Sequence, residues 1–137
     1  MSRRLLVLAP FLLAGLAVTQ LCGEDKRESV ERGRYLATQV AMCVQCHSPR
    51  NERGNLIHSR LFHGARIPVA SPWPKSEWVF VAPRLIGLPA TLGRERLVTL
   101  LMTGSRPDGR SPQPPMPPFR LTHDDAMAIV DYLASLP

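Results

Sequence analysis

The five residues 43–47 (CVQCH) constrain this chain of 137 residues more than any other part of its sequence. They have the pattern C-x-x-C-H, in which two thiols lie about one helical turn apart and a histidine follows the second. Thiols at this spacing can each add to one of the two vinyl groups on a haem edge, and the adjacent imidazole can bind the iron from one face. The sequence therefore predicts one haem attached covalently through Cys43 and Cys46, with His47 as an axial ligand.

Two other chemistries use cysteines at this spacing. Thiol–disulfide exchange uses C-x-x-C, but that motif normally opens a helix after a strand and has no use for the adjacent histidine. Zinc needs four well-spaced ligands, and Cys46 and His47 are too close together to share one tetrahedron comfortably with Cys43. Haem attachment is favoured because only this interpretation uses all three side chains.

The proline and glycine content limits how much regular structure the chain can form. It has 14 prolines and 9 glycines, so much of the backbone is expected to be irregular. A loop-rich chain of this length suffices for one domain but has difficulty filling its own interior. A covalently held macrocycle that is mostly apolar would supply the missing core, so composition and motif favour the same interpretation.

The N-terminus has the pattern of a targeting segment. Arg3 and Arg4 precede an apolar run, residues 5–18, which is too short to cross a bilayer comfortably. Residues 15–17 (GLA) form an acceptable small-x-small cleavage site. We therefore expect residues 1–21 to be a signal peptide or an N-terminal membrane anchor. We therefore expect the protein in the periplasm, either soluble or tethered to the outer face of the bacterial inner membrane.

A charged linker, residues 22–29, is expected to join this segment to a domain over residues 30–137. Cys22 stands where a lipid-bearing cysteine could begin the mature chain. The preceding residues 19–21 (TQL) lack the small residue expected before such a cysteine, so an unmodified thiol is favoured.

The charge of the mature part limits its partners. Two of the 17 Lys and Arg residues lie at positions 3 and 4, so residues 22–137 carry 15 basic and 11 acidic side chains, a net charge of +4. The sequence shows no basic stripe interleaved with aromatic residues, which argues against nucleic acid. A mild positive charge can steer a protein onto an acidic redox partner, although it also fits an ordinary solvated surface.

Two helices are predicted on either side of the middle of the chain. Apolar residues at helical spacing predict the first over residues 30–42, with Ser29 as its N-cap, so that it leads directly into the C-x-x-C-H motif. The second is predicted over residues 91–103 and should end at Gly104.

A terminal helix is predicted over residues 123–135. Thr122 and Asp125 resemble a capping box at its start. Residues 48–90 should be mainly loop, with at most one short strand over residues 75–82. The apolar stripe of the terminal helix comprises Ala126, Ile129, Val130 and Leu133.

Iron held by His47 has a second axial position to fill. Met116 is the favoured ligand, since it lies between two pairs of prolines in residues 114–118 (PPMPP), far in sequence from His47. Proline fixes φ and stiffens the segment, so little chain entropy would be lost in holding the sulfur in place. Met42 is too close to Cys43 to reach the opposite ring face. The other candidates are Met102 and Met127, which are more often core residues when they lie in amphipathic helices, and His58, His63 and His123.

Together these features resemble a class I mono-haem cytochrome c domain over about residues 30–136. The resemblance depends on C-x-x-C-H, on the proline-framed Met116, and on helices that carry residues 33–37 (GRYLA) and 131–133 (DYL). The chain is particularly similar to the cytochrome domains associated with bacterial periplasmic dehydrogenases, in which a segment like residues 103–110 (TGSRPDGR) leads to the methionine. The resemblance implies an all-α fold of three main helices plus long irregular loops, wrapped around one covalently bound haem.

The resemblance also implies specific contacts. The first and last helices should cross, with Tyr132 packed near Gly33. A proline carbonyl in the loop after the haem motif should face the free imidazole nitrogen of His47 and orient the ring. Pro83 is the best match for this role, and Pro49 is the nearer rival.

Three arginines stand near the expected site. Arg84 follows Pro83, where the family often has an asparagine. Arg106 and Arg110 can face the haem propionates, for which a guanidinium is a well-shaped partner, or can equally be ordinary exposed arginines.

The expected function is electron transfer by covalently bound haem c with His47 and Met116 as axial ligands. The protein would be a periplasmic carrier or a subunit of a respiratory or dehydrogenase complex, and not itself an enzyme. Its redox partners would be a periplasmic dehydrogenase, a respiratory complex or a terminal oxidase. The alternative is a haem c sensor or a peroxide- or gas-reactive haem enzyme, in which the sixth position is open or is held by His58 or His63.

Overall fold

The computed structural model of the protein describes residues 24–73, 77–106 and 108–137. The expected signal peptide or anchor (1–21) and Cys22 lie outside the described residues, and so do the first two residues of the predicted strand 75–82. The fold of the part described is all-α, as predicted, with long irregular segments between the helices.

The first helix extends further towards the N-terminus than predicted. Residues 24–35 are α-helical (α1), and the helix continues with π-helical geometry over Leu36–Val40. The predicted N-cap at Ser29 is wrong, because Ser29 lies inside α1 and its Oγ donates a hydrogen bond to Asp131 Oδ2 at 2.6 Å. Glu, Lys and Arg make up most of the charged run before Ser29, and they are good helix formers, so this run extends the helix. The boundary of the domain at residue 30 stays a prediction.

The second helix, α2 (Cys43–His47), carries the C-x-x-C-H motif. Met42 immediately before it has φ 55°, in the left-handed region that few side chains adopt. The chain therefore changes direction sharply between α1 and α2. This turn brings the motif against the end of α1. The first helix leads directly into the motif as predicted, but α1 and α2 do not form one continuous helix.

The segment after α2 is mainly irregular, as predicted. It contains a 3-10 turn at His58–Arg60 and a two-stranded antiparallel pair, β1 (Ala65–Arg66) and β2 (Val81–Ala82). Ala65 lies opposite Ala82 in this pair. Within the described part of residues 75–82, β2 is the only portion that forms a strand.

The helix predicted over residues 91–103 is two helices, α3 (Leu88–Leu92) and α4 (Arg94–Thr103). Gly93 divides them because its φ of 94° lies outside the helical region. Gly104 ends α4 as predicted: its φ is 63° and its N–H donates to the carbonyl of Leu100 at 2.8 Å.

The last helix, α5 (His123–Ser135), has the bounds that the sequence predicts. Thr122 Oγ1 accepts a hydrogen bond from the backbone N–H of Asp125 at 3.2 Å, so the expected N-cap is confirmed. The predicted apolar stripe of α5 is buried, and it forms the centre of the core. The other buried apolar residues of this core include Leu36, Ala37, Val44, Phe62, Leu97, Val98 and Leu101.

The crossing of α1 over α5 is also confirmed. A Cβ added to Gly33 would overlap the backbone carbonyl of Ala128 and would lie 2.9 Å from Cβ of Tyr132. The ring of Tyr132 in turn packs edge-to-face against Phe62, with the ring centroids 5.7 Å apart. None of the helices in the described ranges is both long and apolar enough to cross a membrane.

Candidate cofactor site

A large cavity of about 610 Å³ lies between α2, α4, α5 and the two irregular segments that precede α3 and α5. This volume is in the range of sites for small molecules and cofactors. Its walls are mainly apolar, and helices α2 to α5 contribute to them as well as the loops. The lining residues from the two longer of these helices are Leu97, Leu100 and Leu101 of α4 and Ile129, Val130 and Leu133 of α5.

The residues that the sequence singles out meet at this cavity. Cys43, Cys46 and His47 line it from α2, and Met116 lines it from the proline-rich segment before α5. The fold thus places an imidazole and a thioether from distant parts of the sequence in the walls of one apolar cavity.

The two cysteines are partly buried free thiols. Burial is the main cause that raises the pKa of the Cys43 thiol to about 11, and the neighbouring Cys46 raises it further, against a backbone hydrogen bond that lowers it. The Cys43 side chain is therefore a neutral thiol at neutral pH. One turn of helix holds both sulfurs towards the same cavity, as attachment at two points of one ligand requires.

His47 is held by its ring and by its backbone. Nδ1 of the ring donates a hydrogen bond to the carbonyl of Pro83 at 2.8 Å. A carbonyl can only accept, so Nδ1 carries the proton, and Nε2 of the neutral ring is left with a free lone pair. Burial lowers the pKa of His47, and the bond to Pro83 opposes this shift without cancelling it. His47 is therefore a neutral imidazole with one nitrogen ready to bind a metal.

The choice between the two prolines is settled by the same hydrogen bond. Pro83 faces the ring of His47 as predicted, whereas the carbonyl of Pro49 accepts the backbone N–H of Ile57 at 3.0 Å. Arg84, which stands where an asparagine is common, directs its Nε to the carbonyl of Ile86 at 3.3 Å.

Sequence reasoning missed three residues in the segments next to His47, of which Gly64 bonds it directly. The N–H of Gly64 donates to the backbone carbonyl of His47 at 2.8 Å. Ser48 is buried, and its Oγ accepts the backbone N–H of Phe62 at 2.9 Å. Phe62 is fully buried, and its φ of 60° lies in the left-handed region that few side chains adopt. A glycine in a loop is a signal for a positive φ, but nothing local in the sequence shows which segment Gly64 approaches.

The other candidate axial ligands are placed differently from Met116. Met102 and Met127 pack against the core. Met42 lines the cavity, but it precedes Cys43 directly and is 45% exposed. Of the described residues that line the cavity, His47 is the only histidine, so His58, His63 and His123 are not brought to it.

Two charged residues stand in the otherwise apolar or neutral wall. Arg106 and Asp108 line the cavity, and they are the only ionised side chains among the described residues that do so. Arg110 is not among these lining residues, and its side chain is 77% exposed. Of the two arginines that the sequence does not distinguish, only Arg106 therefore lines the cavity.

The donor set fits a haem attached through two thioether bonds. The cavity offers two thiols one helical turn apart, an imidazole with a free Nε2, a thioether and walls that suit an apolar macrocycle. Within the described residues no group of three or more His, Cys, Asp or Glu side chains is arranged to hold a metal ion on its own.

Comparison with known proteins also indicates a haem-binding domain. A family model described as Cytochrome c matches residues 30–137, which is most of the chain. No curated protein matches the chain.

Proposed function

The chain belongs to the cytochrome c family, and from this premise we propose that it transfers single electrons in the periplasm with His47 and Met116 as axial ligands to iron. Members of the family bind haem c covalently, and Cys43 and Cys46 have the spacing of the C-x-x-C-H motif that binds it. When bound, haem c supplies a one-electron Fe(III)/Fe(II) couple. The function is that of an electron carrier or an electron-transfer subunit, and not of an enzyme.

One observation carries this proposal: Met116 and His47 line the same cavity although they are far apart in the sequence. His47 offers Nε2 because Pro83 fixes the proton on Nδ1. Met116 offers a thioether from a segment stiffened by four neighbouring prolines. With His47 and Met116 both bound to it, the iron would have no position left for small molecules such as oxygen or peroxide. Thioether ligation also favours the reduced state.

The remaining residues of the site exclude water. Leu97, Leu101 and Val130 are buried, and all three line the cavity. Apolar walls of this kind lower the local dielectric, which disfavours the ferric state with its extra positive charge and raises the reduction potential. The helices that supply them already form a packed core, so they would need to change little on reduction.

The partner would dock where the cavity reaches the surface. Val81 and Met42 both line the cavity and are 59% and 45% exposed. An apolar contact there, combined with the net charge of +4 on residues 22–137, suits an acidic redox partner. A periplasmic dehydrogenase, a respiratory complex or a terminal oxidase would supply or accept the electron. Export, either as a soluble protein or with a membrane tether, is proposed from the pattern of residues 1–21.

Substitution of Met116 tests the ligand assignment. The haem-loaded wild type should be low-spin and show the near-infrared sulfur-to-iron charge-transfer band in its ferric state. Met116→Ala should lose this band, become high-spin and bind cyanide or CO rapidly. Met42→Ala is the matched control, since it removes a second thioether that lines the same cavity and should leave the band in place.

Two results would contradict the proposal. A wild-type protein that is already high-spin and binds CO rapidly would favour a haem sensor or a peroxide- or gas-reactive enzyme. A band that survives in Met116→Ala but disappears in another variant would move the ligand elsewhere. Mass spectrometry of the purified, exported protein tests the remaining parts, because it reports the mature N-terminus, any lipid on Cys22 and the added mass of haem together.

A further inference from the structure

One short segment of backbone contacts the chain beside both proposed axial ligands. This segment, residues 79–83 (VFVAP), ends at Pro83, whose carbonyl accepts the hydrogen bond from Nδ1 of His47 at 2.8 Å. It begins at Val79, whose N–H donates to the carbonyl of Pro114 at 2.8 Å. Pro114 stands two positions before the proposed methionine ligand. The segment is therefore bonded at one end to the histidine and at the other end to the chain that carries the methionine.

The middle of the 79–83 segment is fixed by β1. The segment contains β2, which pairs with β1. The carbonyl of Phe80 also accepts the N–H of Ile67 at 2.9 Å, which extends the pairing by one residue on each strand. Gly64, directly before β1, donates its N–H to the carbonyl of His47 at 2.8 Å. Each strand thus adjoins a hydrogen bond to the histidine, so a shift of the segment would disturb these bonds.

The segment that carries the methionine has few backbone donors. Residues 112–118 (PQPPMPP) contain two backbone N–H groups, since proline has none. One of them, the N–H of Met116, donates to the carbonyl of Gln113 within the same segment at 3.2 Å. Among the described residues, the hydrogen bond from Val79 to Pro114 is the only one that joins residues 112–118 to another part of the chain. The position of the methionine therefore depends strongly on this one bond.

We infer that Val79 is a positioning residue for Met116, and that the 79–83 segment sets the position of this methionine relative to His47. The inference rests on the proposed function, in which both side chains bind iron. A thioether that is already held in place loses little entropy when it binds the metal. When another ligand displaces the methionine, the chain around it must move, and the hydrogen bond to Pro114 opposes this movement. The bond therefore favours the methionine over competing ligands.

Two substitutions at one position separate the hydrogen bond from the side chain. Val79→Pro removes the N–H, whereas Val79→Ala truncates the same side chain in the cavity wall and keeps the N–H. The experiment titrates the ferric, haem-loaded, full-length protein with imidazole, which competes for the sixth position, and follows the loss of the sulfur-to-iron band. The Kd for imidazole should be lower in Val79→Pro than in Val79→Ala by about three- to tenfold, the effect of one hydrogen bond on an equilibrium.

Ile57→Pro controls for the general effect of a proline in a loop. The N–H of Ile57 donates to the carbonyl of Pro49 at 3.0 Å, and its φ of −84° is close to the value that proline requires. Ile57 is not among the described residues that line the cavity. This variant should lose stability in denaturant but keep the wild-type Kd for imidazole. If Val79→Pro also lost stability while its Kd equalled that of Val79→Ala, Val79 would have only a structural role and the inference would be overturned.

Amide hydrogen exchange of the wild type, measured by NMR, decides the matter if Val79→Pro does not fold. The N–H of Val79 should exchange slowly in the ferric protein and roughly tenfold faster once imidazole has displaced the methionine. The N–H of Ile67, which bonds within the strand pair, should change little. An exchange rate of Val79 that is the same with and without imidazole would contradict the inference. Failure of the proposed function looks different, because a wild type without haem or without the sulfur-to-iron band is detected before any comparison is made.

Discussion

Nδ1 of His47 and the carbonyl oxygen of Pro83 lie 2.8 Å apart and form the hydrogen bond that orients the imidazole. Gly64 lies against the same segment. A Cβ added to Gly64 would come within 2.8 Å of the backbone nitrogen of Arg84 and 3.0 Å of the carbonyl oxygen of Ala82. Since the N–H of Gly64 also bonds the carbonyl of His47, this glycine joins the two chain segments that hold the ring.

We expect Gly64→Ala to destabilise the protein and to disturb the axial histidine. Its φ of 80° strains any side chain by about 1–3 kcal/mol, and the overlap with the backbone adds about 1–3 kcal/mol. Displacement of Pro83 would weaken its hydrogen bond with His47. The imidazole would then donate less electron density to the iron, which raises the midpoint potential. Denaturant unfolding and potentiometry measure the two effects.

The control for this prediction is Gly54→Ala. Gly54 also has a φ of 80°, but a Cβ on it would meet nothing within 4 Å. This variant should show only the cost of backbone strain, with an unchanged potential. Equal losses of stability in the two variants would contradict the role assigned to the crowding around Gly64.

The sequence predicts elements whose signals are local. The bounds of α5 follow from the cap at Thr122 and from an apolar stripe, and both signals lie within or beside the helix itself. The C-x-x-C-H motif is likewise a short pattern with a defined chemistry. The family resemblance implies that a proline carbonyl faces His47, so the sequence had only to indicate which proline, and Pro83 was the best match.

The features that the sequence did not predict depend on contacts between distant segments. Ser29 has the chemistry of an N-cap, but its hydroxyl bonds Asp131, which is 102 positions away. The break at Gly93 depends on how α3 and α4 each pack on α5, which a continuous helical pattern does not show. Phe62 carries no special local signal, yet it is fully buried against Tyr132. Each of these features depends on contacts with a distant segment, which no local pattern shows.

Substitution of Gly33 should weaken the crossing of α1 and α5. An alanine there would overlap the carbonyl of Ala128, which belongs to the helix backbone and cannot move aside alone. Overpacking of this kind costs about 1–3 kcal/mol and sometimes more, so we expect Gly33→Ala to lower the free energy of unfolding by about 3 kcal/mol. Thermal unfolding at matched haem content measures the loss.

Glu31→Ala is the control for the Gly33 variant. Glu31 lies on the exposed side of the same helix, where it pairs with Arg34 at 2.7 Å. Loss of an exposed pair within one helix costs only about 0.2–0.5 kcal/mol. If Gly33→Ala were no more harmful than this, the two helices would not be in the close contact described.

Asp131 should make stability depend on pH in the acid range. Burial acts to raise the pKa of this carboxyl, but hydrogen bonds from Ser29 and Arg94 outweigh it, and the pKa in the folded protein lies below its ordinary value of 3.8. The unfolded state therefore binds this proton more tightly. The contribution of Asp131 is complete above about pH 4 and is lost as the pH falls through the lower, folded pKa.

Asp131→Asn isolates this contribution. At pH 7 we expect the variant to be less stable by about 1–2 kcal/mol, because charged hydrogen bonds from α1 and α4 are weakened. The difference between wild type and variant should shrink as the pH falls below about 4. Asp124→Asn, at a fully exposed position of the same helix, should show no comparable difference at pH 7. A difference for Asp131→Asn that stays constant from pH 7 to pH 2 would contradict the assignment.

The three cysteines should differ in whether they bind haem covalently. Cys43 and Cys46 line the cavity from one helical turn, so each should form one thioether bond, whereas Cys22 precedes the family match at residue 30. The double variant Cys43→Ser/Cys46→Ser should therefore lose all haem when the protein is denatured, and each single variant should retain haem through one bond in lower yield. Cys22→Ser should keep the full amount. Haem staining of a denaturing gel, with the intact mass of each variant, measures the outcome. Two results would contradict this prediction: haem that stays with the denatured double variant, and haem that is lost from Cys22→Ser. Either one would show that attachment uses a different thiol and that α2 is not where the cofactor is anchored.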